Sequence, residues 1–438
     1  MPHTIEEARH LLREIFDGAL DAVRGDHLVE QLGRPSRERW RIRQGGRDVD
    51  WSLPKNGRLI VVGAGKAAAA MAVGLEKLFG DRIDDGCIIV KYGHGLPLRR
   101  IRQLEAGHPL PDAAGVAATA ELLRTIEGLG PDDRVIVLLT GGASSLLVAP
   151  VEGISLAEKA HATDLLLRSG ASIEEINSVR KRLSRVKGGQ LLDHIAPAST
   201  LTLLVSDVPS GDYAMIGSGP TVRSDAAGQE DALAIFARYD LLGKIPPAVR
   251  STLEAPRSIT SSTCAGSHDI LPLADSGTAV AAVHRIARKA GLSVHDVDLQ
   301  MTGNTHEQAR ALAAALRAHP HAKRPALFLS AGETTLLVRG DGKGGRNQEF
   351  ALVAALELAG VDRVALLAAG TDGTDGPTDA AGAFADGSLG TRAAAAGMNP
   401  ADYLAKNDSY TLFDRTGDLL RTGPTGTNVM DLVLAIAF

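Results

Sequence analysis

Short, continuously apolar segments that end in glycine-rich loops recur along this chain, and they constrain its fold more than any other feature. Runs of this kind, unlike alternating polar and apolar residues, are typical of strands buried on both faces of a sheet. Helical patterns such as 113–129 and 156–168 lie between them. This alternation predicts an α/β fold with a largely parallel sheet. The runs in the first half of the chain are Arg58–Val62, Gly86–Lys91, Arg134–Leu139 and Leu201–Val205.

The segment 242–275, which is rich in proline, serine and threonine, interrupts this pattern and predicts a domain boundary. A second series of strands and helices follows it. The apolar stretch 429–438 is predicted to be a closing strand. We therefore expect two α/β domains, residues 1–250 and residues 262–438, which suits a chain of 438 residues.

Composition excludes several classes of protein. The formal net charge is −5, whereas a chain with a broad nucleic-acid-binding face is usually basic. The two cysteines, Cys87 and Cys264, are too few for a disulfide scaffold or a cysteine-rich zinc module, and they suit a reducing cytosol. No apolar run approaches the ~18 residues of a membrane-spanning helix, and Met1–Arg13 lacks the apolar core of a secretory signal. We expect a cytoplasmic protein that binds neither nucleic acid nor membrane.

The loop Gly63-Ala64-Gly65-Lys66 follows the first apolar run and opens a helix. Glycines let backbone N–H groups approach an anion, the helix N-terminus favours negative charge, and Lys66 adds a full positive charge. The loop is not a Walker A motif, because Ile60 and Ala67 stand where a glycine and a serine or threonine are required. It fits the weak dinucleotide pattern G-x-G-x-x-G/A, although Lys91 stands where an NAD site has an acid. An NADP site therefore stays open.

Two further segments of the first half carry candidate anion-binding groups. Thr140–Ser145 offers backbone donors and hydroxyl groups, including Gly141, Gly142 and Ser144, and it is also typical of a tight strand–helix turn. A basic helix opens with a capping box at Ser172 and continues through Arg180 toward Lys187. Such a helix is also typical of a solvated surface.

Acidic residues follow several of the strands. Asp207 comes directly after the fourth run, where it would orient a hydroxyl group, accept its proton or hold Mg²⁺, unless it only caps a turn. Asp372 and Asp375 follow a buried strand in the second half and are candidate magnesium ligands, although Asx-turns explain them equally well. The histidines show no metal-binding spacing, and His108 is assigned a structural part ahead of a catalytic one.

Four glycines within 340–345 precede Arg346 at a helix start, the most specific local pattern in the second half. The forked, permanently charged guanidinium of arginine suits a phosphoryl group. A flexible surface hairpin is the alternative interpretation. The predicted substrate- and phosphate-binding set comprises Gly63, Gly65, Gly141, Gly142, Ser144, Arg180, Lys187, Gly345 and Asn347.

Taken in order, these segments resemble the class II glycerate kinases, which are glycerate 2-kinases with a C-terminal MOFRL domain, some of them named hydroxypyruvate reductases. The resemblance covers nearly the whole chain. Its carriers include Val61–Ala67, Gly107–Asp112, Thr140–Ser145, Asn177–Lys181, Lys187–Gly189, Ser206–Val208, Gly217–Pro220, Gly332–Thr335, Gly345–Glu349, Gly370–Gly376 and Gly423–Asn428.

The resemblance implies ATP-dependent phosphorylation of D-glycerate at its 2-hydroxyl group with Mg²⁺, by two α/β domains that face a cleft, the first of them Rossmann-like. It assigns the key lysine to Lys66, the key arginine to Arg346 and an acid near that site to Asp207. From their chemistry, Asp207 is our candidate to accept the hydroxyl proton, and Arg180 with Lys187 to neutralise the glycerate carboxylate.

Two other functions stay open at this point. An NAD(P)-dependent hydroxypyruvate reductase depends on the Gly63-x-Gly65-x-x-Ala68 pattern alone. A non-catalytic sensor of a sugar-acid phosphate would bind its ligand without turnover. The expected partners are ATP and D-glycerate, and a homodimer is left open.

Overall fold

The computed structural model describes residues 2–208, 211–223, 231–255, 266–320 and 325–438. The chain forms two compact units. We name Gly25–Leu273 the middle unit, and Met1–Arg24 together with Ala274–Phe438 the terminal unit. No helix within the described ranges is both long and apolar enough to cross a membrane.

Helices in the described residues are mostly short and separated by strands. They are α1 Ile5–Ala22, α2 Gly25–Glu30, α3 Ala68–Phe79, α4 Ala113–Thr125, α5 Ala143–Leu146, α6 Leu156–Ser169, α7 Ile173–Arg182, α8 Gln190–Ile195, α9 Ala232–Arg238, α10 Pro247–Glu254, α11 Ser276–Lys289, α12 Thr305–Ala318, α13 Arg346–Glu357, α14 Leu389–Ala395, α15 Pro400–Ala405 and α16 Ser409–Thr416.

The strands form one small hairpin and two larger sheets. They are β1 Arg39–Gln44, β2 Arg47–Ser52, β3 Leu59–Ala64, β4 Asp85–Lys91, β5 Arg102–Ala106, β6 Arg134–Thr140, β7 Ser199–Val205, β8 His268–Ala274, β9 Ser293–Met301, β10 Ala326–Gly332, β11 Val364–Gly370, β12 Gly382–Asp386, β13 Leu419–Leu420 and β14 Asp431–Ala437.

The main sheet of the middle unit has the strand order β5-β4-β3-β6-β7-β8, and β3 to β7 pair in parallel. Counted within this sheet, that is the 3-2-1-4-5-6 order of Rossmann-type folds. Every residue of β3, β6 and β7 is buried, as their continuous apolar sequences predict. The order reverses between β3 and β6, so the loops after these two strands lie at the switch point, where such sheets bind ligands.

The terminal unit contains a mixed sheet of order β13-β12-β11-β14-β10-β9. β14 pairs antiparallel with both β10 and β11, so the strand predicted at 429–438 is present and lies in the centre of the sheet. Its sequence suits this position, because six of its seven residues are apolar and all seven are buried. The polar strand β9 lies at an edge.

The division into units differs from the predicted domains in its first residues. α1 belongs to the terminal unit, where Arg9 contacts Asp386 at 2.5 Å and Asp418 at 2.6 Å. The apolar spacing of residues 5–29 predicts a single helix, but the structure has two, α1 and α2. The second begins at Gly25, where any Cβ would lie 2.9 Å from the backbone nitrogen of Met71. The predicted second boundary, residue 262, lies outside the described residues, as does Cys264.

Candidate active site

The loop after β3 packs tightly against the end of β6 at the switch point. The backbone N–H of Lys66 donates to the carbonyl oxygen of Gly141 at 2.9 Å, and the N–H of Ala67 donates to Thr140 Oγ1 at 3.1 Å. These two N–H groups already have partners inside the protein. The loop therefore does not present them as the anion cradle that its sequence predicts, and its contribution to a site rests on the Lys66 side chain.

The glycines of this loop permit close packing of the two strands. A Cβ on Gly63 would lie 2.3 Å from the carbonyl oxygen of Leu138, and one on Gly65 would lie 2.0 Å from Thr140 Oγ1. Real Cβ atoms essentially never approach other atoms below 3.0 Å. The structure thus gives Gly63 and Gly65 a packing role, and their phosphate-binding role stays a prediction.

Gly142 lies beside the side chains of Lys66 and His108. Its φ of +87° is in the left-handed region, which favours glycine. A Cβ at this position would lie 3.0 Å from His108 Cδ2 and 3.3 Å from Lys66 Cγ. A bare backbone at Gly142 therefore leaves room for both side chains at the carboxyl ends of β3 and β6.

Next to Gly142 the middle unit holds a cavity of about 350 Å³, which we call the cation cavity. It brings together four predicted site residues, Gly142, Ser144, Arg180 and Lys187, and adds Lys159. The rest of the lining is mostly apolar and consists of His108, Pro109, Leu110, Pro111, Ser145, Val148, Leu156, Ala160, Thr163, Asp164 and Leu167.

Lys187 is almost fully buried, with 2% of its surface exposed. Its Nζ donates to Ser144 O at 2.8 Å, to Ser144 Oγ at 3.2 Å and to Gly217 O at 3.1 Å. All of these acceptors are neutral. Burial, reinforced by repulsion from Lys159 and Arg180, holds the pKa of Lys187 well below its ordinary value.

Lys159 is 6% exposed, and its Nζ donates to the carbonyl oxygen of Leu183 at 2.9 Å. Burial, together with repulsion from Arg180, lowers the pKa of Lys159 to about 7. The sequence analysis missed this residue. The signal was its spacing in α6, where Lys159 lies three residues before Ala162 and seven before Leu166 on the buried face.

Arg180 projects from α7 into the same cavity and is partly buried. Within the residues that the structure describes, its guanidinium has no hydrogen-bond or ion-pair partner. Burial lowers the pKa of Arg180. The helix that the sequence left open as a solvated surface thus turns one of its cations inward.

Asp207 lies in an adjoining cavity of about 430 Å³, which also includes Ser144, Arg180 and Asn177. Hydrogen bonds connect its walls: Ser144 Oγ lies 3.1 Å from Ser218 Oγ, and Ser218 donates to Asn177 Oδ1 at 3.1 Å. The structure therefore brings the predicted acid Asp207 to the same side-chain cluster as two of the predicted anion-binding residues.

In the terminal unit, Arg346 begins α13 and is held by two carboxylates. Its Nε and Nη2 donate to the two oxygens of Asp431 at 2.6 and 2.9 Å, and Nη1 lies 2.8 Å from Glu333 Oε1. The sheet places Asp431 opposite both Gly332 and Gly370. Burial opposes the charged guanidinium, but the Asp431 and Glu333 carboxylates outweigh it and raise the pKa of Arg346. Sequence reasoning assigned no part to either carboxylate.

Asp375 caps the start of α13. Its carboxylate accepts the backbone N–H of Asn347 at 3.1 Å, the N–H of Gln348 at 2.9 Å and Gln348 Nε2 at 3.0 Å. Burial raises the pKa of Asp375 to about 6, against these hydrogen bonds, which lower it. Gly345 and Asn347, predicted to bind substrate, contact the same carboxylate: a Cβ on Gly345 would lie 2.3 Å from Asp375 Cγ, and Asn347 Nδ2 donates to Asp375 Oδ1 at 3.3 Å.

The two predicted magnesium ligands both accept hydrogen bonds from the protein. The two oxygens of Asp375 accept backbone N–H groups from the start of α13. Asp372 Oδ1 accepts the backbone N–H of Thr374 at 2.9 Å, as in the Asx-turn that its sequence allows, and its part as a magnesium ligand stays a prediction. The described residues contain no group of three or more histidine, cysteine, aspartate or glutamate side chains placed to hold a metal ion.

A lysine and a cation-lined cavity at the switch point of a parallel sheet place this chain among the α/β enzymes that handle small anions. The family described as a domain of unknown function, DUF4147, matches residues 11–254, and the MOFRL family matches residues 326–431. The latter range begins with β10 and ends at Asp431, so it spans the whole Arg346 site.

Curated relatives and a solved structure agree on one family. The D-glycerate 2-kinase of Thermotoga maritima is 39% identical over 89% of this chain and 94% of that protein. An Agrobacterium vitis protein that carries a hydroxypyruvate reductase name is 41% identical over 86% of this chain and 98% of its own. The crystal structure of a glycerate kinase from Thermotoga maritima matches with a TM-score of 0.81 at 36% identity, covering 99% of this chain and 100% of that one.

The chain belongs to the glycerate kinase family. The predicted resemblance to these kinases is confirmed, as are the α/β fold class, the assignment to the kinases and the mostly parallel first sheet.

Proposed function

We propose that this protein transfers the γ-phosphoryl group of ATP to the 2-hydroxyl group of D-glycerate, giving 2-phospho-D-glycerate and ADP. The observation that carries the proposal is the cation cavity beside Lys66, in a chain whose relative over nearly its full length is a D-glycerate 2-kinase. A small hydroxy acid needs its carboxylate neutralised, and this cavity supplies cations without carboxylate partners of their own.

The residues divide the work of phosphoryl transfer. Arg180 and Lys187 bind the glycerate carboxylate and so fix the direction of the 2-hydroxyl group. As the bond from this oxygen to the γ-phosphorus forms and the bond to the β–γ bridging oxygen breaks, the hydroxyl proton passes to Asp207. ADP leaves with the electron pair of the broken bond.

Charge stabilisation is the second requirement, because negative charge spreads over the oxygens of the phosphoryl group during transfer. We assign this part to the cations of Lys66 and Arg346. Three of the five N–H donors of Arg346 contact Asp431 and Glu333, which fix the plane of its guanidinium and leave the others for phosphate. Mg²⁺, when bound at Asp372, would neutralise phosphate oxygens of ATP.

The competing function is reduction of hydroxypyruvate with NAD(P)H, favoured by the name of the Agrobacterium vitis relative. The glycine pattern that would support it has a different cause here, since Gly63 and Gly65 are small to pack against β6. Their occurrence therefore does not speak for a dinucleotide site.

One experiment separates the two functions. The purified protein is incubated with ATP, MgCl₂ and D-glycerate, and the products are identified by phosphorus NMR. In parallel, oxidation of NADH and of NADPH is followed with hydroxypyruvate. We expect the 2-phosphoglycerate resonance, dependent on both ATP and D-glycerate, and no oxidation of either nucleotide. Oxidation without a phosphorylated product would replace the proposal by the reductase, and ligand binding without turnover would replace it by a sensor.

We also propose a cytoplasmic location, which the buried free thiol of Cys87 supports. A homodimer stays a prediction. Light scattering coupled to size-exclusion chromatography tests it against the monomer mass of 45.7 kDa.

A further inference from the structure

The side chains that line the cation cavity carry more positive than negative charge. Lys159, Arg180 and Lys187 are the cations, and the acid among the lining residues, Asp164, lies 2.7 Å from Arg168 Nε in an ion pair of its own. The hydrogen-bond acceptors that the structure gives the two ammonium groups are backbone carbonyls and the hydroxyl of Ser144. The cavity thus has cations without an anion.

An arrangement of this kind is unfavourable in the free protein. Burial and mutual repulsion both disfavour the charged forms, and neutral acceptors offset only part of that cost. A leucine or methionine would suit the position of Lys159 better, since Ala162, Leu166, Val179 and Leu183 form an apolar cluster beside it. A lysine at such a position indicates a ligand whose negative charge offsets the free-energy cost of burying the ammonium group.

The ammonium group of Lys159 has more N–H donors than the structure gives it acceptors. An ammonium group carries three N–H bonds, and the structure gives its Nζ one acceptor, the carbonyl oxygen of Leu183. This bond ties Lys159 to the end of α7, the helix that carries Arg180. Because Lys159 lines the cavity, its other two N–H groups can donate to a ligand there.

We propose that Lys159 is a third anion-binding side chain of the cation cavity, and that with Arg180 and Lys187 it selects acceptor substrates that carry a carboxylate. This inference rests on the proposed function and adds to it the residue that distinguishes hydroxy acids from neutral alcohols. It also gives the cations of this cavity a different task from Lys66, which is left for the phosphoryl group.

The test is Lys159→Met, which keeps the length of the side chain and removes its charge. We expect the KM for D-glycerate to rise about tenfold or more, the KM for ATP to stay within about twofold, and the melting temperature to stay equal or rise. Lys159→Arg, which restores a cation, should recover part of the affinity. Lys244→Met, at an exposed lysine of the same unit, is the matched control and should change none of these three quantities.

Selectivity gives a second readout. The methyl ester of D-glycerate offers the same hydroxyl groups without the negative charge. Wild-type protein should prefer the acid to the ester, and Lys159→Met should reduce that preference by about the factor lost in KM for the acid. A purely structural lysine would not change this ratio.

Each outcome decides the matter. An unchanged KM for D-glycerate, or a fall in melting temperature with an unchanged acid-to-ester ratio, overturns the inference. If the wild-type protein has no kinase activity, the proposed function fails, and calorimetric titration with D-glycerate still tests the cavity: binding that Lys159→Met weakens supports the anion site, and equal binding or none in both proteins overturns it.

Discussion

The two units hold their cations in opposite ways. In the middle unit, Lys159 and Lys187 donate to backbone carbonyls and a hydroxyl group, and burial lowers the pKa of both. In the terminal unit, Arg346 is held by Asp431 and Glu333, whose carboxylates raise its pKa. The Arg346 side chain is 32% exposed, more than Lys159 or Lys187, but the charge of the partners sets the direction of the pKa shift in each unit.

This difference separates two tasks that a cation performs in an anion-handling enzyme. A cation with neutral partners keeps its full attraction for an incoming anion, and the free protein loses stability for it. A cation paired with carboxylates has lost part of that attraction, but its orientation is fixed and its pair stabilises the fold. We therefore expect substitutions in the terminal unit to reduce activity and stability together, and substitutions in the cation cavity to reduce activity alone.

The largest effect is expected for Arg346→Ala. It should lower kcat/KM for D-glycerate phosphorylation by about 10²-fold or more, the scale for losing one charge-stabilising contact. It should also lower the free energy of unfolding by about 3 kcal/mol, because Asp431, 1% exposed, keeps a buried charge without its partner. Steady-state kinetics and urea denaturation measure the two quantities.

Arg346→Lys is the control for charge, since it keeps the cation and loses the bidentate contact. It should restore more stability than activity. Wild-type stability in Arg346→Ala would break the comparison between the units, and wild-type turnover would remove Arg346 from the proposed mechanism.

Lys66→Ala should reduce kcat/KM by a similar factor, about 10²-fold or more, without the loss of stability. The backbone contacts of its loop, from Lys66 N–H to Gly141 and from Ala67 N–H to Thr140, do not involve the side chain. Thermal unfolding followed by circular dichroism should therefore match the wild type. A melting temperature that falls together with activity would show that Lys66 holds the fold of the switch point, contrary to the part proposed for it.

A smaller effect is expected from pH. Since the pKa of Lys159 is lowered to about 7, the residue is half charged in the free protein at pH 7 and mostly neutral at pH 8. D-Glycerate binds the charged form, so its KM should rise roughly fivefold from pH 7 to pH 8. The charged or titratable groups that line the cavity with Lys159 are Arg180, Lys187, His108 and Asp164.

The control is Lys159→Met, in which the KM for D-glycerate should be higher at pH 7 but rise less between pH 7 and pH 8. If the KM for D-glycerate changes equally with pH in the two proteins, the titrating group is Lys187 or belongs to the nucleotide site.

Much of the fold could be predicted from the sequence, because continuous apolar runs and capping residues are local signals. The helical pattern 156–168 predicts α6 to within one residue, and the loops after β3 and β6 meet at the switch point. Local signals do not say which strands become neighbours, so the insertion of β14 between β10 and β11 was not predictable. The placement of α1 in the terminal unit was not predictable either, because it depends on the long-range contacts of Arg9.

The structure brings the predicted site residues Ser144, Arg180 and Lys187 to one cavity, and their binding roles stay predictions. It gives Gly63 and Gly65 a packing role that the sequence did not indicate, since a glycine for close packing and a glycine for a ligand look alike in a sequence. Lys159 was missed because a lysine inside a helix is ordinarily exposed, and only its register with Ala162 and Leu166 marks it as buried.

The smallest effect concerns a second set of compensated charges in the terminal unit. Asp386 and Asp418 each contact both Arg9 and Arg392, and these contacts outweigh burial and hold the pKa of Asp386 at about 2. A carboxyl group whose pKa is lowered by folding stabilises the fold at pH values above its ordinary pKa near 4. This stabilisation is lost as the pH falls toward 2. Arg9→Ala should therefore lower the free energy of unfolding by about 1–3 kcal/mol at pH 7, since Arg392 still contacts both acids.

The acid limb of the unfolding curve tests this contribution most directly. The gap in unfolding free energy between the wild type and Arg9→Ala should narrow from pH 4 to pH 2.5, because protonation of Asp386 removes its attraction to Arg9. Arg13→Ala, whose partner Asp17 is exposed, is the matched control and should change stability by less than about 0.5 kcal/mol at any pH. A difference in unfolding free energy that stays constant down to pH 2.5 would mean that Arg9 anchors α1 through its contact with the Phe384 ring and not through its ion pairs. Arg346 would then be the one remaining support for the inference that paired cations stabilise the terminal unit.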